Sequence, residues 1–460
     1  MIISRPISGK IRTARNFVQS FLLFVFFATP WFRWNELPLI RLDIPERKFF
    51  LLGNIFTPQE GYFLHLFLIG MGLSLFFFTT LVGRVWCGWA CPQTIYTDIF
   101  DAIGRRIQGS KYGKKDAPLF PKIFTHLSWI LISCFASAAW ISYFADPYLM
   151  LGSVFDRKSV ETIPDWFGFF AFFSFAMYSD IAWIREQFCK YACPYARFQT
   201  VMMDTHSINI TYDFKRGEPR RNGKIKLGDC TSCNMCLVVC PTGIDIREGT
   251  NVGCIACGKC SDACTLQMAK ENKKALIAYS TENQIDTREP SIKWIRPRTV
   301  VYAGSLTIVL SLLSLLLWQR IPLYLSVLPD RNIQPVSIGD GNVRNFYEVQ
   351  MQNLTWENRT LKFEIEAADL SGSSKILVGG TEEATVELAA NSNQRYRLFI
   401  ELRPTKEDAK KRSHSITLKV YDIRNSNFSK TNEIPFLLPD GDSAGNEMIS
   451  ERRMVYAQKP

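Results

Sequence analysis

No cysteine follows Cys264, so residues 265–460 can hold neither a disulfide nor a thiolate metal site. The chain has no Cys-x-x-Cys-His motif, which argues against covalently attached haem. No small-x-small cleavage site follows the first apolar run, so that run is not a cleaved signal peptide. The formal charge is +11, but no stacking-aromatic or groove-binding motif accompanies it, and the basic residues cluster beside apolar runs. These absences argue against a nucleic-acid binder and favour a membrane protein.

Eight of the thirteen cysteines lie within residues 230–264, in two runs with the same spacing. Each run reads Cys-x2-Cys-x2-Cys-x3-Cys, the spacing of bacterial two-cluster ferredoxins. A tight loop supplies three thiolates to one four-iron cluster, and the fourth cysteine of each run binds the other cluster. The predicted ligand sets are Cys230, Cys233, Cys236 and Cys264 for one [4Fe-4S] cluster, and Cys254, Cys257, Cys260 and Cys240 for the other.

Two other uses of these cysteines fit the pattern less well. Paired Cys-x2-Cys units also bind zinc, but zinc sites rarely need four cysteines per run at this spacing. A disulfide framework is disfavoured because the segment is basic and is expected to face the cytoplasm. We therefore expect iron–sulfur clusters.

Five apolar runs reach or approach the ~20 residues needed to cross a bilayer. They lie at about 16–34, 62–83, 123–145, 166–184 and 299–318. Buried core helices are the alternative, but five such runs in one chain favour membrane spans. The prediction is a polytopic α-helical membrane domain with about five transmembrane helices.

The distribution of basic residues in the short loops predicts the orientation. Residues 1–15 carry four basic residues and no acidic residue, and 84–122 carries seven basic against three acidic residues. The 146–165 loop instead carries four acidic against two basic residues. In a bacterial inner (cytoplasmic) membrane, this pattern places the N-terminus, 84–122 and the cluster segment in the cytoplasm, and the tail beyond about 320 in the periplasm.

The tail alternates polar and apolar residues in short runs, as β-strands do. The clearest runs are 361–365, 384–388, 396–402 and 416–420. About seven such strands predict an immunoglobulin-like sandwich without a disulfide. The predicted domains are a membrane domain with four helices at 1–200, a two-cluster ferredoxin-like domain at 201–298, a fifth transmembrane helix at 299–320 and the β-sandwich at 321–460.

Two further cysteine pairs follow the second and fourth apolar runs, and both read Cys-x3-Cys-Pro. Residues four apart share one face of a helix, and a following proline predicts a helix boundary there. If the two helical hairpins pack face to face, four sulfurs converge: Cys87, Cys91, Cys189 and Cys193. Four soft sulfurs suit Cu(I), although redox disulfides and simple packing between helices remain open.

Several stretches resemble the FixG/CcoG (RdxA) family of cytochrome c oxidase accessory proteins. The resemblance lies in Arg84–Thr94, around the first Cys-x3-Cys-Pro motif, and in Arg185–Gln199, around the second. We call these two Cys-x3-Cys-Pro motifs the first and second thiol motifs. Arg216–Arg220, Cys240–Arg247 and the 13-residue gap before Cys254 are also similar to that family. The resemblance is strong over about 84–300; outside it, the architecture matches better than the residues.

The resemblance implies a membrane-bound two-cluster protein that reduces Cu(II) to Cu(I) for assembly of the cbb-type oxidase. By that likeness, Cys87, Cys91, Cys189 and Cys193 would be the catalytic, copper-binding residues, and the eight cluster cysteines would carry electrons to them. The expected class is therefore an oxidoreductase, with two [4Fe-4S] clusters and copper. The expected partners are copper ions, assembly factors or subunits of the oxidase, an electron donor that the sequence does not identify, and a second copy of the chain in a homodimer.

Two other functions remain open from the sequence. Membrane ferredoxins of the nitrate-reductase accessory type also combine Cys-x3-Cys-Pro motifs with two clusters, which suggests a quinol-linked electron shuttle to another redox partner. A scaffold whose clusters only stabilise the fold is the third alternative. His65 and His126 lie within apolar runs, where an ionisable residue is a functional candidate, although a buried neutral histidine is commoner.

Overall fold

The computed structural model describes the chain except residues 1–2, 35–36, 46, 115, 156–164, 221–227, 339–340, 369–373, 380–383, 405–410 and 440–460. It divides into two compact units, 1–316 and 317–460. The helices of the first unit are α1 (Lys10–Ala28), α2 (Gly61–Val82), α3 (Val85–Trp89), α4 (Pro92–Gln108), α5 (Leu119–Ile141), α6 (Pro147–Phe155), α7 (Asp165–Ser179), α8 (Pro194–Met202), α9 (Phe214–Gly217), α10 (Met235–Val238), α11 (Lys259–Ala269), α12 (Glu282–Thr287) and α13 (Pro297–Trp318), the last of which ends just beyond it.

Four segments of the described chain are helical, long and apolar enough to cross a membrane: Pro58–Val82, Leu119–Ile141, Trp166–Ile184 and Pro297–Trp318. They coincide with four of the five predicted runs. Most of their side chains face outward, as expected for helices that are surrounded by lipid. The prediction of a polytopic helical membrane domain is confirmed.

The first predicted run also folds as a helix, but α1 is not among the four apolar spans. It begins at Lys10, and its first turns carry Arg12 and Arg15, so only residues 16–28, ~20 Å of helix, are uncharged, and three of these are polar: Asn16, Gln19 and Ser20. Its N-terminus contacts residues 209–280, which contain the eight cysteines of the two ferredoxin-type runs and are called the cluster-binding segment below. There the backbone N–H of Arg12 donates to Asp262 at 2.8 Å. Just beyond its other end, Arg33 pairs with Asp146, which follows α5, at 2.8 Å. Helix α1 therefore runs the length of the helical bundle, although one of its ends is too polar for it to count as an apolar membrane span.

Short strands complete the first unit. The strands β1 (Arg33–Trp34) and β2 (Leu37–Pro38) form one pair, and β3 (Ile40–Asp43), β4 (Lys48–Leu51) and β5 (Asn54–Phe56) form a three-stranded sheet. In the cluster-binding segment, β6 (Asn209–Tyr212) pairs antiparallel with β7 (Ile277–Ser280), which closes the segment at its two ends.

The second unit is a sandwich of two antiparallel sheets. Its strands are β8 (Leu323–Pro329), β9 (Val336–Ile338), β10 (Asn342–Asn353), β11 (Arg359–Ala368), β12 (Ser374–Val378), β13 (Thr385–Leu388), β14 (Asn393–Leu402), β15 (Ser413–Asp422) and β16 (Asn425–Leu437). One sheet has the order β12-β14-β10-β8 with β9 on β10, and the other has the order β13-β11-β15-β16. Because side chains alternate across a strand, Leu361 and Phe363 point into a shared core while Lys362 and Glu364 point outward. All four predicted runs are strands, and the predicted sandwich is confirmed.

Candidate iron–sulfur module and thiol site

The first predicted ligand set lines one cavity in the cluster-binding segment. Cys230 and Cys233 come from the loop that leads into α10, Cys236 lies in α10, and Cys264 lies in α11. The loop closes tightly because Ser232 and Asn234 adopt left-handed backbone conformations, with φ of 55° and 57°. Apolar side chains, among them Met268, Leu276 and Ile277, complete the walls.

The second set lines a neighbouring cavity. Cys254, Cys257 and Cys260 surround it together with Cys240 from the first run, and Cys236 also reaches it. Ala256 and Gly258, at the same places in this run as Ser232 and Asn234 in the first, are also left-handed, with φ of 51° and 75°. The two runs therefore fold alike, and the fourth cysteine of each lies in the cavity of the other.

The raised pKa values of the cysteines in these cavities fit a bound group that contains several metal cations. Burial raises the pKa of Cys260 well above its usual range, and the neighbouring thiolates of Cys257 and Cys254 raise it further. Burial likewise raises the pKa of Cys254 to about 12 and that of Cys236 to about 11. Crowded thiolates of this kind need a compensating positive charge, which the iron ions of a cluster supply. The apolar walls and four sulfurs per cavity suit a [4Fe-4S] group.

The two Cys-x3-Cys-Pro motifs begin and end alike, although the residues from the first cysteine onward form an α-helix in the first motif and a π-helix, Phe188–Ala192, in the second. Gly83 and Arg185 each lie four residues before a motif's first cysteine, and their (φ, ψ) angles are (56°, −131°) and (55°, −136°). The second cysteines, Cys91 and Cys193, are the N-cap residues of α4 and α8, and each is followed by a proline at the first helical position. Proline is favoured there because that residue has no N–H to leave unpaired. The motif thus turns the chain sharply and starts a new helix with a sulfur at its N-terminus.

The structure brings the four motif cysteines together. Burial raises the pKa of Cys189 to about 12, with further contributions from the charges of Cys91, Cys87 and Cys193. Burial also raises the pKa of Cys87 to about 11, against the opposing charge of Arg84. Backbone N–H groups at the start of α4 partly offset the effect of burial on the pKa of Cys91. Each thiolate therefore interacts electrostatically with the other three.

Their spacing is looser than that of a ready-made ion site. Within the described part of the chain, no three histidine, cysteine, aspartate or glutamate side chains converge closely enough to hold a single metal ion. For the cluster cavities this spacing is expected, since a four-iron cluster separates its ligands more than one ion does. For the four motif thiols it means that one bound ion would have to draw them closer.

The first thiol motif packs directly on the loop that carries the second ligand set. Cys87, Ile255 and Cys257 share one buried cluster, with Cys189 packed against it. Gly88 allows this approach: a Cβ atom at position 88 would lie 2.5 Å from the carbonyl oxygen of Ile255 and 2.7 Å from Cα of Cys257.

An aromatic pair bridges the same interface. The indole N–H of Trp89 donates to the Tyr279 hydroxyl at 2.8 Å, and that hydroxyl donates to the backbone carbonyl of Ala256 at 2.6 Å. Trp89 lies between the two cysteines of the first motif, and Ala256 lies between two cysteines of the cluster loop. The thiol motif and the cluster loop are thus joined by side-chain hydrogen bonds as well as by packing.

Two acidic residues of α4 hold this assembly, and the sequence analysis did not identify them. Asp98 accepts from Lys259 at 3.0 Å and from Arg12 at 2.8 Å, and it also pairs with the fully buried Arg15. One turn later, Asp101 pairs with Arg185, the buried residue that precedes the second motif. A possible signal was the i, i+3 spacing of two acids in an otherwise basic segment, directly after the first motif.

The two intramembrane histidines have ordinary partners. One ring nitrogen of His65 lies 2.7 Å from the carbonyl oxygen of Gly61, and one of His126 lies 3.0 Å from the Tyr178 hydroxyl. Neither contact brings a histidine to the cysteine sites.

Comparisons with family models agree with this architecture. Residues 184–282 match a 4Fe-4S dicluster domain, and residues 313–439 match the immunoglobulin-like fold at the C-terminus of FixG. Residues 63–111, which include Cys87 and Cys91, match a 4Fe-4S binding domain.

Three curated relatives cover most of the chain. Protein RdxA of Cereibacter sphaeroides is 36% identical over 87% of this chain and 88% of its own length. Protein RdxB of the same organism is 34% identical over 87% and 88%. The nitrogen fixation protein FixG of Rhizobium meliloti is 33% identical over 79% of each chain. This chain therefore belongs to the FixG/RdxA family and is a membrane-integral 4Fe-4S electron-transfer protein.

Proposed function

We propose that this protein reduces Cu(II) to Cu(I) at the cytoplasmic face of a bacterial inner membrane, and that the reduced copper serves assembly of a cbb-type cytochrome c oxidase. The observation that carries the proposal is the packing of Gly88 and Cys87 on Ile255 and Cys257. This packing supports the proposal because Cys87 and Cys189, two of the four soft sulfur donors that would favour Cu(I), lie against the loop of the iron–sulfur module. The link to the oxidase comes from the family resemblance.

The eight cysteines of the module would hold two four-iron clusters. The proposed ligand sets are Cys230, Cys233, Cys236 and Cys264, and Cys254, Cys257, Cys260 and Cys240. When bound, each cluster supplies a one-electron carrier, which matches the one-electron reduction of Cu(II). Arg247 lines the first cavity, and Lys259 lines the second, so each cavity also has a positive charge in its wall.

The four motif thiols would bind copper as substrate. Burial opposes the ionisation of Cys87, Cys91 and Cys189, whereas Arg84 favours that of Cys87 and the N–H groups at the start of α4 favour that of Cys91. A bound copper ion adds the positive charge that completes the ionisation, and the protons pass to water. Cu(II) then gains one electron, and the sulfur ligands favour the resulting Cu(I).

The proposed topology places the thiols, the cluster module and the N-terminus on the same side of the membrane. The contact between the N-terminus of α1 and Asp262 supports this arrangement, since it joins the N-terminal segment to the cluster module. The sequence bias of basic residues assigns that side to the cytoplasm and the β-sandwich to the periplasm.

A double substitution tests the proposal. Cys87→Ala with Cys193→Ala should abolish copper binding and dithionite-driven Cu(I) formation, while leaving the cluster absorbance intact. In that assay the clusters are reduced anaerobically with dithionite, and the excess dithionite is removed before Cu(II) is added. Cys134→Ala is the matched control, because Cys134 lies in α5 and belongs to neither motif. Cu(I) would be measured with a chromogenic Cu(I) chelator. Unchanged Cu(I) formation in the double variant would rule out the proposal.

A further inference from the structure

A cavity of about 420 Å³ lies between α1, α4, α5 and α7, beside the first thiol motif. Its volume is within the ~300–1,000 Å³ typical of small-molecule sites. Helices α5 and α7 form two of the apolar membrane spans, so the cavity borders the region that lipid would fill. Its walls include Phe26, Trp86, Tyr96, Ser137, Trp140 and Phe173.

One wall of the cavity is the thiol motif itself. Trp86 precedes Cys87, and Ala90 and Pro92 flank Cys91; all three line the cavity. The backbone N–H groups of Ala90 and Cys91 both donate to the carbonyl oxygen of Trp86 at 2.9 Å, which fixes this wall. A molecule in the cavity would therefore lie against the backbone that carries the two sulfurs.

The lining selects the chemistry of the ligand. None of the residues that line the cavity is charged, which disfavours ions and nucleotides. Aromatic side chains from five elements, α1, α3, α4, α5 and α7, line the cavity, and its lining residues Tyr96 and Ser137 carry hydroxyls that can form hydrogen bonds. A planar, lipid-soluble ring with oxygen substituents meets all of these features, whereas a saturated acyl chain would use neither the hydroxyls nor the aromatic planes.

We propose that this cavity binds a membrane quinol, which supplies the electrons for copper reduction. The identity of the electron acceptor, Cu(II), rests on the proposed function. Each hydroquinone loses two electrons and two protons and becomes the quinone; the electrons reduce two Cu(II) ions in succession, and the protons pass to water. The site gives the protein an electron donor that reaches it from the lipid phase.

The test uses the full chain in nanodiscs of quinone-free phosphatidylcholine, with radiolabelled decylubiquinone as the probe. Ala136→Phe fills the cavity, since Ala136 lies in its wall. Ala171→Phe is the matched control, because Ala171 is an exposed residue of α7 outside the lining. A second variant, Tyr96→Phe with Ser137→Ala, removes both hydroxyls with little change in volume.

We expect saturable binding of about one decylubiquinone per chain above empty nanodiscs, and an affinity at least about tenfold lower in Ala136→Phe, equal to ~1.4 kcal/mol. Ala171→Phe should bind like the wild type, and the double hydroxyl variant should bind more weakly. Decylubiquinol-driven Cu(I) formation should fall further in Ala136→Phe than dithionite-driven formation.

Binding no greater than in empty nanodiscs, or equal binding in Ala136→Phe and Ala171→Phe, would overturn the proposal. If Ala136→Phe does not fold, unchanged affinity in the double hydroxyl variant overturns it instead. The two proposals fail differently: absence of dithionite-driven Cu(I) formation contradicts the copper function, whereas loss of quinone binding contradicts only the donor site.

Discussion

Gly88 and Ile255 lie so close that a Cβ atom at position 88 would be 2.5 Å from the Ile255 carbonyl oxygen. Gly88 lies within the first thiol motif, and Ile255 lies within the second cluster loop. This contact defines where the membrane domain and the cluster module meet. Any side chain at position 88 must push the two apart, because the atoms on the opposite side belong to backbone.

Gly88→Ala should therefore weaken the interface between the thiol motif and the cluster loop. Overpacking of this kind costs ~1–3 kcal/mol, which should lower the midpoint of thermal unfolding and the rate of Cu(I) formation. Gly72→Ala is the control, since nothing lies within 4 Å of a Cβ atom at that position of α2. Equal effects of the two substitutions would show that the Gly88 contact is unimportant.

Asp98→Asn should loosen the cluster module from the helical bundle. The carboxylate pairs with Arg12, Arg15 and Lys259, and its loss leaves buried cations without their partner at a cost of roughly 3–5 kcal/mol. Hydrogen exchange should increase at the N-terminus of α1 and in α11. The exposed Asp116 provides the control substitution, Asp116→Asn. Native protection of both helices in Asp98→Asn would contradict this role.

The crossing of the fourth cysteines predicts which double substitutions remove both clusters. Cys264→Ala should leave about four irons per chain, and adding Cys233→Ala should remove no more, because both residues line one cavity. Adding Cys257→Ala instead should reduce the iron content to near zero, because Cys257 lines the other cavity. The measurement is iron per chain after anaerobic purification. The reverse result would mean that each run of four cysteines holds its own cluster.

The sequence predicted those features that depend on local spacing. The cysteine runs, the four apolar helices and the alternating strands such as Leu361–Ile365 all follow from periodicities within a few residues. The Cys-x3-Cys-Pro motifs were expected to mark helix boundaries, and Cys91 and Cys193 are indeed N-cap residues.

The contacts that assemble the site could not be read from local patterns. Asp98 and Lys259 are separated by 161 residues, and Trp89 and Tyr279 by 190. Helix α1 shows the same limit: the two arginines of its first turns, Arg12 and Arg15, pair with the distant Asp98. The packing of Gly88 on Ile255 likewise depends on how two domains meet, which no periodicity encodes.

Metal analysis of the anaerobically purified full-length protein tests the central claim most directly. Iron and copper per chain would be counted in the wild type and in the Cys87→Ala, Cys193→Ala double variant after incubation with copper. The account predicts about eight irons per chain in both proteins, as two four-iron clusters require, and bound copper in the wild type alone. About twelve irons in the wild type that fall to about eight in the double variant would contradict it, since the four motif thiols would then hold a third cluster instead of copper.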